Sequence, residues 1–155
     1  MFEKAERLRP DDFQGPIFLR QIYRSLGREE QAKAAALRGT KIAERHLELY
    51  PDDTRALNLG MAGLIEQGDK EKAMQWAERS LALDGDNPDT LYNVACAYAR
   101  LHEPERALAS LLRAKLHGMS IAEWAENDSD LASLHDDPRF LILIGSFKDH
   151  ELTKK

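Results

Sequence analysis

Cysteine is almost absent from this chain. A single residue, Cys96, stands in 155 positions, which excludes an intramolecular disulfide framework and a cysteine-rich metal site. The expected role of Cys96 is a small apolar side chain in a helix interface. Long apolar runs are missing too. The longest, Phe140 to Gly145, is far too short to span a bilayer, and the first residues lack the basic, apolar and small-residue order of a signal peptide. Membrane insertion is therefore not expected. Gly-x-Gly-x-x-Gly, a phosphate loop and a nucleophile-elbow serine are all absent, which removes the commonest nucleotide-binding and acyl-transfer signatures.

The polar residues that are present do not assemble into chemistry either. His46, His102, His117, His135 and His150 form no His-x-x-x-His or Glu-x-x-His pair, so no metal is expected. The acidic run Asp84 to Asp89 lacks the length, the turn glycine and the terminal glutamate of a calcium loop; it reads as a solvated loop in which Asn87 caps a helix. Carboxylates are abundant, but no acid and base converge on a recognisable pocket. The segment is expected to be non-enzymatic and to carry no cofactor.

With 43% hydrophobic and 32% charged residues, the chain has the composition of a folded domain. Its net charge of -5 conceals a mildly basic start: residues 1–50 hold 10 Lys/Arg against 8 Asp/Glu, the remainder 12 against 19. An acidic body argues against nucleic-acid binding. Arg38, Lys41 and Arg45 share a helix face, but Glu44 and Glu48 flank it without interleaved aromatics, so it reads as a solvated face.

Self-similarity is the strongest positive signal. Displaced by 34 residues, "ALNLGMAGLIEQGDKEKAMQWAERSLAL" aligns with "TLYNVACAYARLHEPERALASLLRAKLH", pairing Leu57 with Leu91, Met61 with Ala95, Leu64 with Tyr98, Ala73 with Ala107 and Ala77 with Leu111. Leu57, Gly60, Met61 and Leu64 form one helical stripe, and Ala73, Trp76, Ala77 and Ser80 another, so each helix has one face to bury. Asp53 or Thr54 is placed to cap the first helix, and Asn87 with Pro88 supplies a cap and first-turn proline for the next. Pro104 likewise suits a first turn.

A 34-residue period of two helices joined by a tight turn resembles the tetratricopeptide repeat family. Leu57 and Leu91 stand at the family's Trp place, Gly60-Met61 and Val94-Ala95 at its Leu-Gly pair, Gly68 or His102 at the turn, and Ala73 or Ala107 at the opening of the second helix. The Trp and the late Pro of the family pattern are missing from these two units. The resemblance implies an all-α solenoid of antiparallel helix pairs. Residues 1–118 form the array: a partial repeat 1–12, an enlarged repeat 13–53, and repeats 54–87 and 88–118. Residues 119–150 form C-terminal capping helices and 151–155 a tail.

The enlarged repeat emerges from the turn markers. Gly27 matches Gly68, Tyr23 matches Leu64 and Ala32 matches Ala73, each 41 residues apart, as are the two Pro-Asp-Asp motifs at Pro10 and Pro51. Seven extra residues add about two turns, roughly 10 Å, and rotate a helix face by only about 20°. One helix from about Glu29 to Leu49 is therefore expected, burying Ala32, Ala36, Gly39, Ala43 and Tyr50; the competing outcome is a break at Gly39-Thr40. The stretch "FEKAERLRPDD", with Phe2 and Ala5, reads as a second helix whose first helix is absent. This suggests a piece of a longer protein, with a natural N-terminal capping helix as the alternative.

After "KLHG" the period stops. Ser120 with Glu123 suggests a capping box and Asp137 before Pro138 a capped helix start, giving three short helices. Leu131, Leu134, Phe140, Leu141 and Ile144 are expected to cover the last repeat, as solenoid ends require; a docking helix for another chain is the alternative.

By the same resemblance, the first helices line a concave groove that binds a peptide, or another domain of the parent chain. Its expected residues are Gln21, Arg24, Arg55, Asn58, Ala62, Ile65, Tyr92, Cys96 and Arg100. The family subtype that grips a terminal carboxylate uses Lys, Asn and Arg; here the matching places hold Ile17, Gln21, Leu59, Asp89 and Asn93, so no such clamp is expected. The stretches "AERHLELYPDD", "LYNVACAYA" and "DDPRF" are similar to C-terminal arrays of bacterial regulators with cyclase, kinase or DNA-binding domains. A cytoplasmic location is the expectation, with the periplasmic side of a membrane-anchored regulator as the alternative. The second functional class is structural: self-association, as a homodimer, through Trp76, the long helix or the tail.

Overall fold

A tight turn with one residue of left-handed backbone recurs along the chain. In the computed structural model, which describes residues 11–145, Gly27 (φ 70°), Gly68 (81°), His102 (61°) and Gly118 (94°) each end a helix in this way. Each also carries a two-bond closure. Arg28 N donates to Tyr23 O at 2.8 Å and Gly27 N to Arg24 O at 3.0 Å, and the same pair recurs at Asp69 and Gly68, Glu103 and His102, and Met119 and Gly118. These bonds satisfy the terminal carbonyls that a helix leaves open. His102 shows that the turn conformation persists where glycine is replaced, at a steric cost that glycine does not carry.

The elements between these turns are helical throughout the described residues: α1 (Gln14–Ser25), α2 (Glu29–Leu49), α3 (Thr54–Glu66), α4 (Lys70–Asp84), α5 (Pro88–Arg100), α6 (Pro104–Leu116), α7 (Ile121–Ala125), a 3-10 helix (Ser129–Leu134) and α8 (Pro138–Leu143). This is the all-α, paired-helix architecture expected of a solenoid. The described chain divides into two units, one ending at Asp84 and the other beginning at Gly85. The partial repeat of residues 1–12, Asp11 and Asp12 excepted, lies outside the described residues, as do 146–150 of the cap and the tail.

In the first unit, α1 and α2 form an antiparallel hairpin. Leu19 and Tyr23 pack with Ala32 and Ala35 near the turn, and Phe13 with Ala43 and Ala56 at the open end. Helix α2 is uninterrupted over 21 residues, against 15 for α4 and 13 for α6, so the seven additional residues extend one helix. Gly39 does not break it. A Cβ there would stand 2.7 Å from Ile17 Cδ1, so this glycine is the seat of an α1 side chain.

The crossing of α2 and α3 is closer still. Thr40 Oγ1 donates to Gly60 O and accepts from Gly63 N at 3.0 Å, and Thr40 is buried. A Cβ on Gly63 would collide with Thr40 Oγ1 and stand 2.5 Å from Ala36 O; one on Gly60 would stand 2.5 Å from Trp76 Cζ3 of α4. Three helices thus meet where α3 has no side chains. Around this point Leu57, Met61 and Leu64 of α3 and Ala73, Ala77 and Ser80 of α4 are buried, the two stripes expected from their spacing.

One expected member of the α2 stripe is displaced. Tyr50 is 59% exposed because α2 ends at Leu49 and the backbone turns away at the C-cap (φ -128°, ψ 71°). Its ring lies against His46, centroids 4.9 Å apart. His46 in turn meets Asp53 Oδ2 at 2.7 Å, while Asp53 Oδ1 accepts from Ala56 N at 3.2 Å and caps α3. The second Pro-Asp-Asp motif is therefore a helix start tied back to the end of α2.

In the second unit α5 and α6 pair, with Leu91, Val94, Ala95, Tyr98, Ala107, Leu111 and Ala114 in the interior. Asn87 Oδ1 accepts from Asp89 N at 2.9 Å, and Pro88 and Pro104 occupy first turns. Asp137 caps α8 through Arg139 N at 2.9 Å. Ser120 behaves differently from expectation: its side chain makes no capping bond to α7, and the Glu123 amide donates instead to the Ser120 carbonyl at 3.2 Å. Leu131, Leu134, Phe140 and Ile144 are buried, Phe140 to 1% exposure, and Leu141 is half-buried.

Substituting Gly63→Ala should lower the stability of the first unit by about 1–3 kcal/mol, measured as a lower urea midpoint. Adding Thr40→Ala should not restore it, because the backbone oxygen of Ala36 remains in the way; an unchanged midpoint in the single variant would refute the close crossing. A second expectation concerns acid. Burial alone pushes the Asp53 carboxyl up, but hydrogen bonds from His46 and the Ala56 amide, with the imidazolium charge, outweigh it and hold the group below its ordinary 3.8. A depressed pKa stabilises above the unfolded value and loses that contribution as pH falls through the folded one. Asp53→Asn keeps a competent cap and should flatten the fall of stability as the pH drops below about 4, the ordinary carboxylate value, in thermal melts; an unaltered slope would contradict it.

Candidate peptide-binding faces

In the first unit, two side-chain bridges hold the first helices alongside one another. Arg55 Nη2 of α3 donates to Gln14 Oε1 of α1 at 2.7 Å, and Arg24 Nη2 of α1 to Glu66 Oε1 of α3 at 3.1 Å. Residue 14 faces 55 and residue 24 faces 66, so α1 and α3 run parallel. The Arg24 guanidinium also lies 3.9 Å from Glu29 Oε2, which leaves it flanked by two carboxylates. Among the expected groove residues, Gln21 and Arg55 are exposed, Ala62 and Ile65 half-buried, and Asn58 buried. The face thus offers amide and guanidinium groups beside a modest apolar seat.

The second unit presents the corresponding residues in another setting. Tyr92, Cys96 and Arg100 follow one another at four-residue spacing along α5 and all meet the segment that begins at Asp128. Tyr92 Oη donates to Asp128 Oδ2 at 2.7 Å, Cys96 Sγ lies 3.8 Å from the same oxygen, and Arg100 Nε lies 3.7 Å from Asp130 Oδ1. Ser133 Oγ donates to Ala99 O at 3.1 Å. The chain's own cap therefore covers this face.

One carboxylate does two jobs there. Asp128 Oδ1 accepts from Asp130 N at 2.9 Å and starts the 3-10 helix, while Oδ2 takes the Tyr92 hydroxyl. Burial pushes the Tyr92 hydroxyl far above its ordinary range, reinforced by its hydrogen bond to Asp128 and the negative charges of Asp128 and Asp130. The phenol consequently remains a donor at every physiological pH. Leu131 and Leu134 enter the interior behind this anchor.

Gln14 and Glu66 were not among the expected site residues. Their partners lie 41 and 42 positions away, and no local signal connects them. Asp128 and Asp130 had a visible signal, as acidic residues opening a turn, but nothing in the sequence directed them to Tyr92 and Arg100. Among the described residues, no group of three His, Cys, Asp or Glu side chains is arranged to hold a metal ion, and no helix is long and apolar enough to cross a membrane.

Removing the phenol in Tyr92→Phe leaves Asp128 Oδ2 with only the weak thiol donor of Cys96. The second unit should lose about 1.5–3 kcal/mol, the usual worth of a hydrogen bond to a charged group, and amide exchange at Leu131 and Leu134 should accelerate. Unchanged exchange at both positions would mean that Leu131 and Leu134 hold the cap without the anchor.

A comparison with curated proteins finds no match. A family model described as tetratricopeptide repeat matches residues 21–46 and 56–87, which span the end of α1 with most of α2, and α3 with α4. The two matched stretches, each running through a helix-to-helix turn with a left-handed glycine, are similar to tetratricopeptide repeats and agree with the paired-helix, all-α fold.

Proposed function

We propose that this chain is a non-catalytic scaffold that binds an extended peptide, or another domain of its parent protein, on the first-helix face of the first unit. The observation that carries this reading is the pair of bridges between α1 and α3. They fix the two helices side by side in advance of binding, so a ligand does not have to order them. Gln21 and Arg55 then offer donors and an acceptor to a polypeptide backbone, and Ile65 offers an apolar contact. Several carboxylates have structural duties: in the first unit Glu66 holds Arg24 and Asp53 caps α3, and in the second Asp128 anchors the cap. We further place the chain in a larger bacterial regulatory protein, on the similarity of "AERHLELYPDD", "LYNVACAYA" and "DDPRF" to such arrays.

The test is selection of peptides from a displayed random library against the whole chain, followed by affinity measurement in solution. The double variant Gln21→Ala, Arg55→Ala should bind selected peptides at least about tenfold more weakly, equivalent to about 1.4 kcal/mol. Lys33→Ala, an exposed change on α2, should bind as the parent does. Peptides indifferent to the double variant, or no peptides at all, would sink the proposal.

A further inference from the structure

We propose that two copies of this chain associate through the outer face of α6, with their α6 helices antiparallel about a two-fold axis. Helix α6 is apolar on both sides. Ala107, Leu111 and Ala114 fill the interior of the second unit, whereas Leu112 is 47% and Leu116 76% exposed. With half-buried Leu108, these two form a stripe at four-residue spacing. Ile142 of α8, 63% exposed, extends it across an open groove of about 480 Å³ between α6 and α8. A helix apolar on opposite faces is normally buried on both, and a contiguous exposed patch of this kind marks an interface.

The charges at the two ends of the stripe specify the occupant. At the start of α6, Glu105 accepts twice from Arg139 at 2.7 Å, and Arg139 also pairs with Asp137 at 2.8 Å. Glu103, Glu105, Asp136 and Asp137 stand here against Arg106 and Arg139, so this end is net negative. At the other end Lys115 donates to the carbonyl of Leu143 at 2.9 Å, and among the described residues it has no ion-paired carboxylate. A second α6 laid antiparallel sets each Lys115 near the partner copy's acidic end and Leu108 opposite Leu112. The helix dipoles also oppose favourably in that orientation. A parallel copy would join like charges. The surface is therefore self-complementary under a two-fold axis, as an isologous interface requires.

The experiment is sedimentation of the full chain over a concentration series, with three single variants. The parent should approach twice its 17.6 kDa with rising concentration. Leu112→Asp and Leu116→Glu should sediment as monomers, with circular dichroism confirming that each remains folded; Leu116 is exposed enough that its change tests the face without disturbing the interior. Lys115→Glu should weaken the dimer, since it places an acid against the acidic end. A parent that stays monomeric throughout overturns the proposal and leaves the face to a different partner. A dimer indifferent to both leucine variants locates association elsewhere, and one indifferent to Lys115→Glu rules out the antiparallel arrangement.

Discussion

The hydroxyl of Thr40 donates to the Gly60 carbonyl and accepts from the Gly63 amide, and the rest of the first unit is arranged around that contact. For a threonine side chain to reach the backbone of a neighbouring helix, that helix must present no Cβ, and α3 places glycine at both positions. The same bareness lets Trp76 of α4 lie against Gly60. A small residue on α3 thus sets the spacing of α2, α3 and α4 together. Large side chains can then be confined to other faces, where Leu57, Met61 and Leu64 are buried.

The ends of the helices are governed by backbone chemistry of equal regularity. Asp53, Asn87, Asp128 and Asp137 each accept a backbone N–H two or three positions on and begin an element. Left-handed residues close α1, α3, α5 and α6. Starts and stops of this kind satisfy the polar groups that a short helix leaves open, so helices of 12 to 15 residues, such as α1 and α4, can pack as discrete units. Among the described residues helix α2 alone exceeds that length, and its surplus carries His46 to the cap of α3.

The two units treat equivalent helix faces differently. In the first, charged and amide side chains bridge α1 to α3 and leave Gln21 and Arg55 accessible. In the second, Asp128 and Asp130 reach back to Tyr92 and Arg100, and the chain's own leucines follow them into the interior. A solenoid end needs such a cover, and the polar anchor fixes where the apolar residues enter.

Sequence alone determined the helical pairs, their turns and most of the interior. These follow from the 34-residue period, from apolar residues at helical spacing, and from Asx and glycine residues whose effects are confined to the next few amides. It also determined that the seven additional residues lengthen α2 without turning its face. Tertiary structure decided the rest. Tyr50 leaves the interior because the backbone bends after Leu49, and Gly39, a possible break by propensity, is instead the place where Ile17 enters. The bridges from Gln14 to Arg55 and from Arg24 to Glu66, and the covering of Tyr92, Cys96 and Arg100, join side chains roughly 30 to 40 positions apart. Contacts of that range depend on how whole helices are set against one another, and local periodicity carries no record of it.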